Sequence, residues 1–365
     1  VKLIVNTETF TYPLRGIGNY TLNLLQGFKG QPSVGTVMCF DGSDRLLTIE
    51  EMEDRLRRTE PAEATEEPVC REWDSGETRE AVDARFRELT RSHGDAFYLE
   101  PECLLRPFDG RVVPIVYDLS PFRYPQFHSR AYREALDQCI PKSLQRAAHI
   151  ITVSEFTRGE ITSLWGTPRE RITIIPPGVS PVFRPRSPEE AEPVRAKYNL
   201  PTKYLLTVGT LEPKKNGVNL IAAYSRLPKN LRENHALVIA GARGWNTERL
   251  EAVLQSYRHP DELKWLGYVD QADLPYLYSA AHGFVYPSVY EGFGMCLLEA
   301  MASGVPVLTS NQSAMPEVAN KVALLTNPLK LNDLTDNLER LISDDEFRAN
   351  ARQMVLTLEK IVQNA

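Results

Sequence analysis

The sequence has little cysteine, and what it has is unpaired in pattern. Five cysteines among 365 residues (Cys39, Cys70, Cys103, Cys139, Cys296) make an odd number without a CxxC pair. This argues against a disulfide framework or a structural zinc site and fits a reducing compartment. No apolar run approaches the ~18 residues that a membrane-spanning helix needs. Positive charge is not in excess: 42 Lys and Arg against 48 Asp and Glu leave a net charge of −6. A dense basic face for nucleic acid is therefore not expected. There is no internal repeat and no low-complexity tail. The opening "VKLIVNTETF" reads as a strand leading into a loop and not as a signal peptide. The expectation is a cytoplasmic protein with no nucleic-acid partner, with room for peripheral work at the inner face of the cell membrane.

What is present is an ordinary globular composition, 42% hydrophobic and 25% charged, over a length that favours two domains. Short β-branched runs recur at 2–6, 35–40, 95–100, 112–118 and 148–154, with helix-like segments such as 18–28 and 129–148 between them. Strand–helix alternation with buried-looking strands predicts a parallel sheet. The stretch 175–202 is rich in proline and charge and reads as an interdomain connection. The pattern then restarts at 204–209, 236–242, 263–269, 283–288, 306–310 and 322–326. Two α/β domains in tandem are expected, over 1–182 and 183–345, followed by a closing amphipathic helix at 346–365. The charged, poorly periodic stretch 50–85 reads as variable surface.

Three constellations carry chemistry. In "YPSVYEGFGMCLLEAMASGVPV" a strand runs into the turn Glu291-Gly292-Phe293-Gly294 and then a helix from Met295. A helix N-terminus suits an anion or sugar hydroxyls, and glycines let a ligand approach the backbone. Glu299 leans back toward that N-terminus, so both carboxylates face one ligand held over the turn. An ordinary strand–turn–helix with a solvated glutamate fits these residues as well. In "LLTVGTLEPKKNG" a strand ends at Gly209 and its loop carries Lys214 and Lys215, two cations suited to a diphosphate at the carboxyl end of a strand. A solvated lysine pair is the commoner fate of such a dipeptide. In "YPLRGIGNYTLNLL", Gly16 and Gly18 open a helix. The full dinucleotide fingerprint is missing, so a tight turn and a phosphate or sugar loop both fit.

In this order and spacing, "VGTLEPKKN", "AGARGW", "LGYV", "YPSVYEGFG…LEAMASGVPV" and "SAMPEVA" resemble the nucleotide-sugar half of the retaining glycosyltransferase family 4. "RGIGNY", "YDLSPFRYP", "TVSEFTRGEI" and "IIPPGV" resemble its acceptor half, so the resemblance covers nearly the whole chain. It implies the GT-B fold: two Rossmann-like parallel-sheet domains facing across a cleft, with the final helix packing back on the first. It implies that Glu291 meets the transferred sugar, that the backbone of Gly292, Phe293 and Gly294 holds sugar hydroxyls and the diphosphate, and that Met295 and Cys296 open the phosphate-facing helix. Glu299 then takes the ribose hydroxyls, and Lys215 matches the diphosphate lysine with Lys214 beside it. Gly16, with Gly18, closes over the phosphates. Tyr268 and Val269 lie where the base is received. The family uses no metal, and no DxD motif stands in a suitable loop.

Two residues depart from the family pattern. Tyr117, before Asp118 on the acceptor side, stands where many relatives have a histidine near the sugar, and tyrosine does not titrate near neutral pH. Thr210 replaces an arginine found in some relatives, with Lys214 as the compensating cation. His128 is expected to be an ordinary loop residue. The subtype resembles bacterial mannosyltransferases of surface-polysaccharide synthesis that use GDP-mannose. A glycan or lipid-linked glycan is the implied acceptor, with Arg130, Arg133, Lys142 and Arg146 as a face for anionic headgroups or merely a solvated one. A UDP-sugar transferase and a catalytically weak binding subunit are the alternatives. A Rossmann oxidoreductase is disfavoured by the incomplete fingerprint.

Overall fold

A computed structural model describes residues 1–10, 14, 16–58, 78–103, 105–351 and 353. The chain divides into two compact units, Val1–Pro177 and Gly178–Ala365.

The first unit is built on six parallel strands: β1 (Lys2–Asn6), β2 (Thr36–Phe40), β3 (Phe97–Glu100), β4 (Arg111–Val116), β5 (Ile150–Thr152) and β6 (Ile172–Ile174). Their order is β2-β1-β3-β4-β5-β6. Strands buried on both faces need continuous apolar runs, and "LIV" and "PIV" supply them. Phe40, Phe86, Tyr98 and Phe108 pack as an aromatic cluster on one face. Leu119, Leu136, Ile140, Ile150 and Ile161 fill another core. Where β1 and β3 end, Asn6 Nδ2 donates to Glu100 Oε2 at 3.0 Å, and Arg106 forms a fork on Glu8 at 2.6 and 2.9 Å. These buried polar groups are satisfied by one another, as groups withdrawn from water must be.

The second unit repeats the plan with β7 (Tyr204–Val208), β8 (Ala236–Ala240), β9 (Leu263–Gly267), β10 (Gly283–Tyr286), β11 (Val307–Ser310) and β12 (Leu324–Thr326). The order is β12-β11-β10-β7-β8-β9, all parallel. The chain works outward from β7 to β9, then returns to β10 on the other side of β7. Connections from β7 and β10 therefore leave in opposite directions. In doubly wound sheets, the crevice at the carboxyl ends of two such strands takes ligands. Apolar clusters cover both faces of this sheet.

Every β-branched run read from the sequence is a strand. The edge strand β6 is not among them, since its three residues are followed after Ile175 by "PPG". The stretch 175–202 also differs from a plain connection. It carries the helix Pro188–Lys197, closed by a Ser187–Glu190 capping box and packed against the helix Leu274–Ala280. The charged stretch 50–85 is more than surface. Helices Ile49–Arg58 and Arg79–Thr90 bury Met52, Leu56, Val82 and Phe86. Residues 59–77 lie outside the described residues, as do 354–365, where most of the expected closing helix falls.

Candidate functional site

Two loops meet at the carboxyl ends of β7 and β10. The first begins at Gly209, whose φ of +145° favours glycine. It runs against the loop after β8: Gly209 N donates to Ala240 O at 3.0 Å and Leu211 N to Ala242 O at 2.9 Å. A Cβ at Gly241 would lie 1.8 Å from Gly209 O, so only glycine permits this approach. A 3-10 turn, Pro213–Lys215, then places both lysines, and Asn216 at φ +64° turns the chain into the helix Gly217–Tyr224. Asn216 Nδ2 donates to Pro287 O at 3.2 Å and Pro328 O at 2.7 Å, while Val289 N donates to Lys214 O at 2.8 Å. One side chain thus ties the loops after β7, β10 and β12 together.

Within this frame Lys215 Nζ lies 2.7 Å from Glu291 Oε1 and 2.6 Å from the Tyr286 hydroxyl. That hydroxyl is 3.1 Å from the same carboxylate oxygen. Glu212 Oε1 stands 3.6 Å from Lys215 Nζ and 3.7 Å from Lys214 Nζ. The side chains of Glu212 and Glu291 are 6% and 9% exposed, and those of Lys214 and Lys215 are 12% and 21% exposed. Burial disfavours the Lys215 cation, but the charges of Glu291 and Glu212 outweigh it and hold its pKa above the usual lysine value. The pair of lysines is therefore balanced by two carboxylates and is not a bare positive patch. Glu291 is fixed from behind, its N–H donating to Ser313 Oγ at 3.1 Å.

Past Glu291, Gly292 is buried and Phe293 packs on the core below. Gly294 caps the helix Met295–Ala302 at φ +105°, and a Cβ there would come within 2.6 Å of Met315 Cε. Met295 and Cys296 form the first turn, both half-buried. Burial pushes the Cys296 thiol up to about 12. Glu299 is turned to a different partner from Glu291: Tyr278 donates to its Oε2 at 2.9 Å. Burial raises the Glu299 carboxyl to about 7, against the lowering effect of that hydrogen bond. Thr210 is half-buried in the first loop. After β9, Tyr268 is exposed and Val269 buried.

The remaining expected residues belong to the first unit. Gly16 begins the helix Gly16–Phe28 with open space around it, and a Cβ on Gly18 would meet Leu14 Cδ2 at 2.7 Å. The Tyr117 ring stands edge-on to Tyr20, centroids 5.3 Å apart, and its hydroxyl is buried. Tyr20 is itself engaged, donating to Ile175 O at 2.9 Å. Asp118 Oδ1 accepts from Ser120 N at 3.0 Å and from its hydroxyl at 2.8 Å. His128 Nε2 lies 3.0 Å from that hydroxyl, whose hydrogen already goes to Asp118, so the ring N–H donates. His128 lies in the bend before the helix Arg130–Arg146, a loop position as expected, where it is buried and linked to Asp118 through Ser120.

Sequence reasoning missed Glu212, Asn216, Tyr278, Tyr286 and Ser313. Only the Asn following the lysine pair carried a local signal, as a residue that tolerates positive φ at a turn. Among the described residues, no helix is long and apolar enough to cross a membrane.

Two family models match the chain: "Glycosyl transferases group 1" over residues 189–355 and "Glycosyltransferase Family 4" over 93–183. O-antigen chain mannosyltransferase B of Escherichia coli is 34% identical over 355 residues, 95% of this chain and 92% of its own. The chain is a family 4 glycosyltransferase. O-antigen chain mannosyltransferase RfbU of Salmonella typhimurium is 30% identical over 58% of this glycosyltransferase and 56% of its own length. Among solved structures, sucrose-phosphate synthase from Thermosynechococcus elongatus covers 100% of the chain and 96% of its own, at TM-score 0.71 and 21% identity. Anabaena Alr3699/HepE in complex with UDP and glucose covers 100% and 98%, at TM-score 0.72 and 16% identity. These likenesses give this glycosyltransferase the GT-B fold.

Proposed function

We propose that this glycosyltransferase moves mannose from GDP-mannose, with retention of configuration and without a metal, to a glycan or lipid-linked glycan in polysaccharide synthesis. The observation that carries the reading is the Lys215–Glu291 pair at the crevice where connections from β7 and β10 diverge, in a chain 34% identical to an O-antigen mannosyltransferase over 95% of its length. In this reading the diphosphate takes Lys215 away from Glu291. The carboxylate is then free to accept hydrogen bonds from sugar hydroxyls, which are donors. Lys214, Lys215 and the N–H groups above Gly294 stabilise the negative charge that develops on the departing nucleoside diphosphate. Glu299 receives the ribose hydroxyls, Tyr268 and Val269 flank the base, and Thr210, Gly292, Phe293, Met295 and Cys296 line the donor. Gly16, Gly18, Tyr117 and Asp118 serve in the first unit. The reaction belongs on the cytoplasmic side, with peripheral membrane contact where the acceptor is lipid-linked.

The test is a donor panel. The protein is incubated in EDTA with GDP-mannose, UDP-glucose and UDP-N-acetylglucosamine, and thermal shift and nucleotide release are followed. Stabilisation and slow release with GDP-mannose alone are expected. Preference for a uridine donor, or dependence on added metal, would overturn the corresponding part of the proposal. Binding of a sugar nucleotide with no release or transfer would favour a binding subunit.

A further inference from the structure

Glu212 is a buried carboxylate that the motif reading did not use. Its side chain is 6% exposed, so it is not the solvated glutamate of a surface loop. Its Oε1 sits 3.7 Å from Lys214 Nζ and 3.6 Å from Lys215 Nζ. Those distances are within ion-pair range but beyond good hydrogen bonds, so Glu212 acts on both cations by charge. The backbone keeps it there. Glu212 is extended at φ −146°, Pro213 follows it, and Lys215 N returns to donate to Glu212 O at 3.1 Å. Glu291 reaches the lysines from the other loop. Glu212 rides on the same loop as the lysines, so a phosphate that draws Lys215 from Glu291 still meets the Glu212 charge.

We propose that Glu212 is a positioning residue that weakens the hold of the lysine pair on a nucleoside diphosphate and so sets the rate of product release. The proposal rests on the reading that Lys214 and Lys215 hold the diphosphate. With Glu212 and Glu291 present the four side chains sum to zero. Without Glu212 they carry one positive charge. A diphosphate bound to these lysines is highly negative, and a carboxylate held 3.6–3.7 Å from their ammonium groups repels it at short range. Between unit charges ~4 Å apart that repulsion is worth about fivefold in affinity even at the dielectric of water and more nearer the protein, so an effect of at least about tenfold is expected. A merely structural Glu212 predicts the opposite sign, because losing it would misplace the lysines and weaken the anion site.

The test is calorimetric titration of GDP into the wild type, Glu212→Gln, Lys214→Gln, the double variant and Lys215→Ala, with kcat and KM for transfer from GDP-mannose alongside. Where the wild type takes the uridine nucleotide instead, UDP and its sugar replace them. Glu212→Gln is expected to bind the diphosphate about tenfold tighter, with KM and kcat both lowered and a burst of product in the first turnover. The charge-balanced double variant is expected within about threefold of wild type. Unchanged or weaker binding in Glu212→Gln overturns the proposal. If that variant does not fold, a double variant that binds no better than Lys214→Gln alone overturns it equally. Lys215→Ala separates the two layers: wild-type diphosphate affinity in that variant sinks the donor-site reading itself.

Discussion

At the scale of single residues, the candidate site is a small set of buried charges, which in the proposed mechanism exchange partners when the diphosphate binds. Lys215 and Glu291 are matched at 2.7 Å, and each is the group that the other would leave uncompensated. Lys215→Ala and Glu291→Ala are each expected to lower kcat/KM by on the order of 10²–10³, the usual consequence of losing one preorganised electrostatic group. Circular dichroism should show the fold retained, and near wild-type turnover in either would remove these residues from the chemistry. Tyr286 is a gentler probe. Its hydroxyl accepts from Lys215 and donates to Glu291, so Tyr286→Phe loses two hydrogen bonds without losing volume. About thirtyfold slower transfer is expected, from a net hydrogen-bond worth of roughly 1 kcal/mol each. Glu299 adds a pH signature. Burial raises its carboxyl to about 7, and in the proposed donor site the ionised form accepts more strongly from ribose hydroxyls. Donor affinity should therefore rise between pH 6 and 8 and level off above. Calorimetry across that range checks this, and Glu299→Gln should bind weakly and flatly.

At the scale of elements, the loops are placed by backbone approaches that only glycine allows. Gly241→Ala drives a Cβ into Gly209 O at 1.8 Å, and backbone cannot yield as a flexible side chain can. A loss of about 1–3 kcal/mol or more is expected on chemical denaturation. Gly16→Ala is the contrast, a helical position with open space around it, and should be neutral or stabilising by up to about 1 kcal/mol. The same distinction explains what the sequence could and could not show. Strands buried on both faces announce themselves as runs such as "ALVIA", and the helix from Met295 by its flanking glycines and Pro306. The helix Pro188–Lys197 hid among prolines, although "SPEE" is a proline-first capping box that could have been read. Glu291, Glu299, Lys214 and Lys215 were legible because local motifs carry them. Tyr278 and Tyr286 were not, because their roles come from partners brought near by the fold, Glu299 and Lys215; Asn216 showed its turn position but not its reach to Pro328. Glu212 stood in plain view beside the lysines. Its burial, which gives it meaning, is a property of the packed loop.

At the scale of the molecule, the pH dependence of stability comes from groups that folding removes from water, and they pull in opposite directions. Glu8, Glu100 and Glu299 are raised by burial, so the folded chain keeps protons that the unfolded chain gives up above its ordinary carboxylate range. Their contribution is greatest at low pH and is lost as pH rises, through about 7 for Glu299. The histidines do the reverse. His235 and His282 precede β8 and β10, at the end of the sheet opposite the lysine loops, with ring centroids 4.5 Å apart. His235 is held by Leu231 O at 3.1 Å and His282 by Ile342 O at 3.3 Å, with Arg348 and Lys203 adding like charge nearby. Burial, the larger cause, lowers both, His282 to about 4. Between pH 6.5 and 4 the unfolded chain takes up a proton that folded His282 refuses. Stability from this pair is thus complete above 6.5 and drains away as pH falls. His282→Asn keeps a donor for Ile342 O and removes the titration. Its melting temperature should fall less than that of the wild type between pH 7 and 5, by a few degrees. An unchanged slope would move the acid lability from this pair to another group.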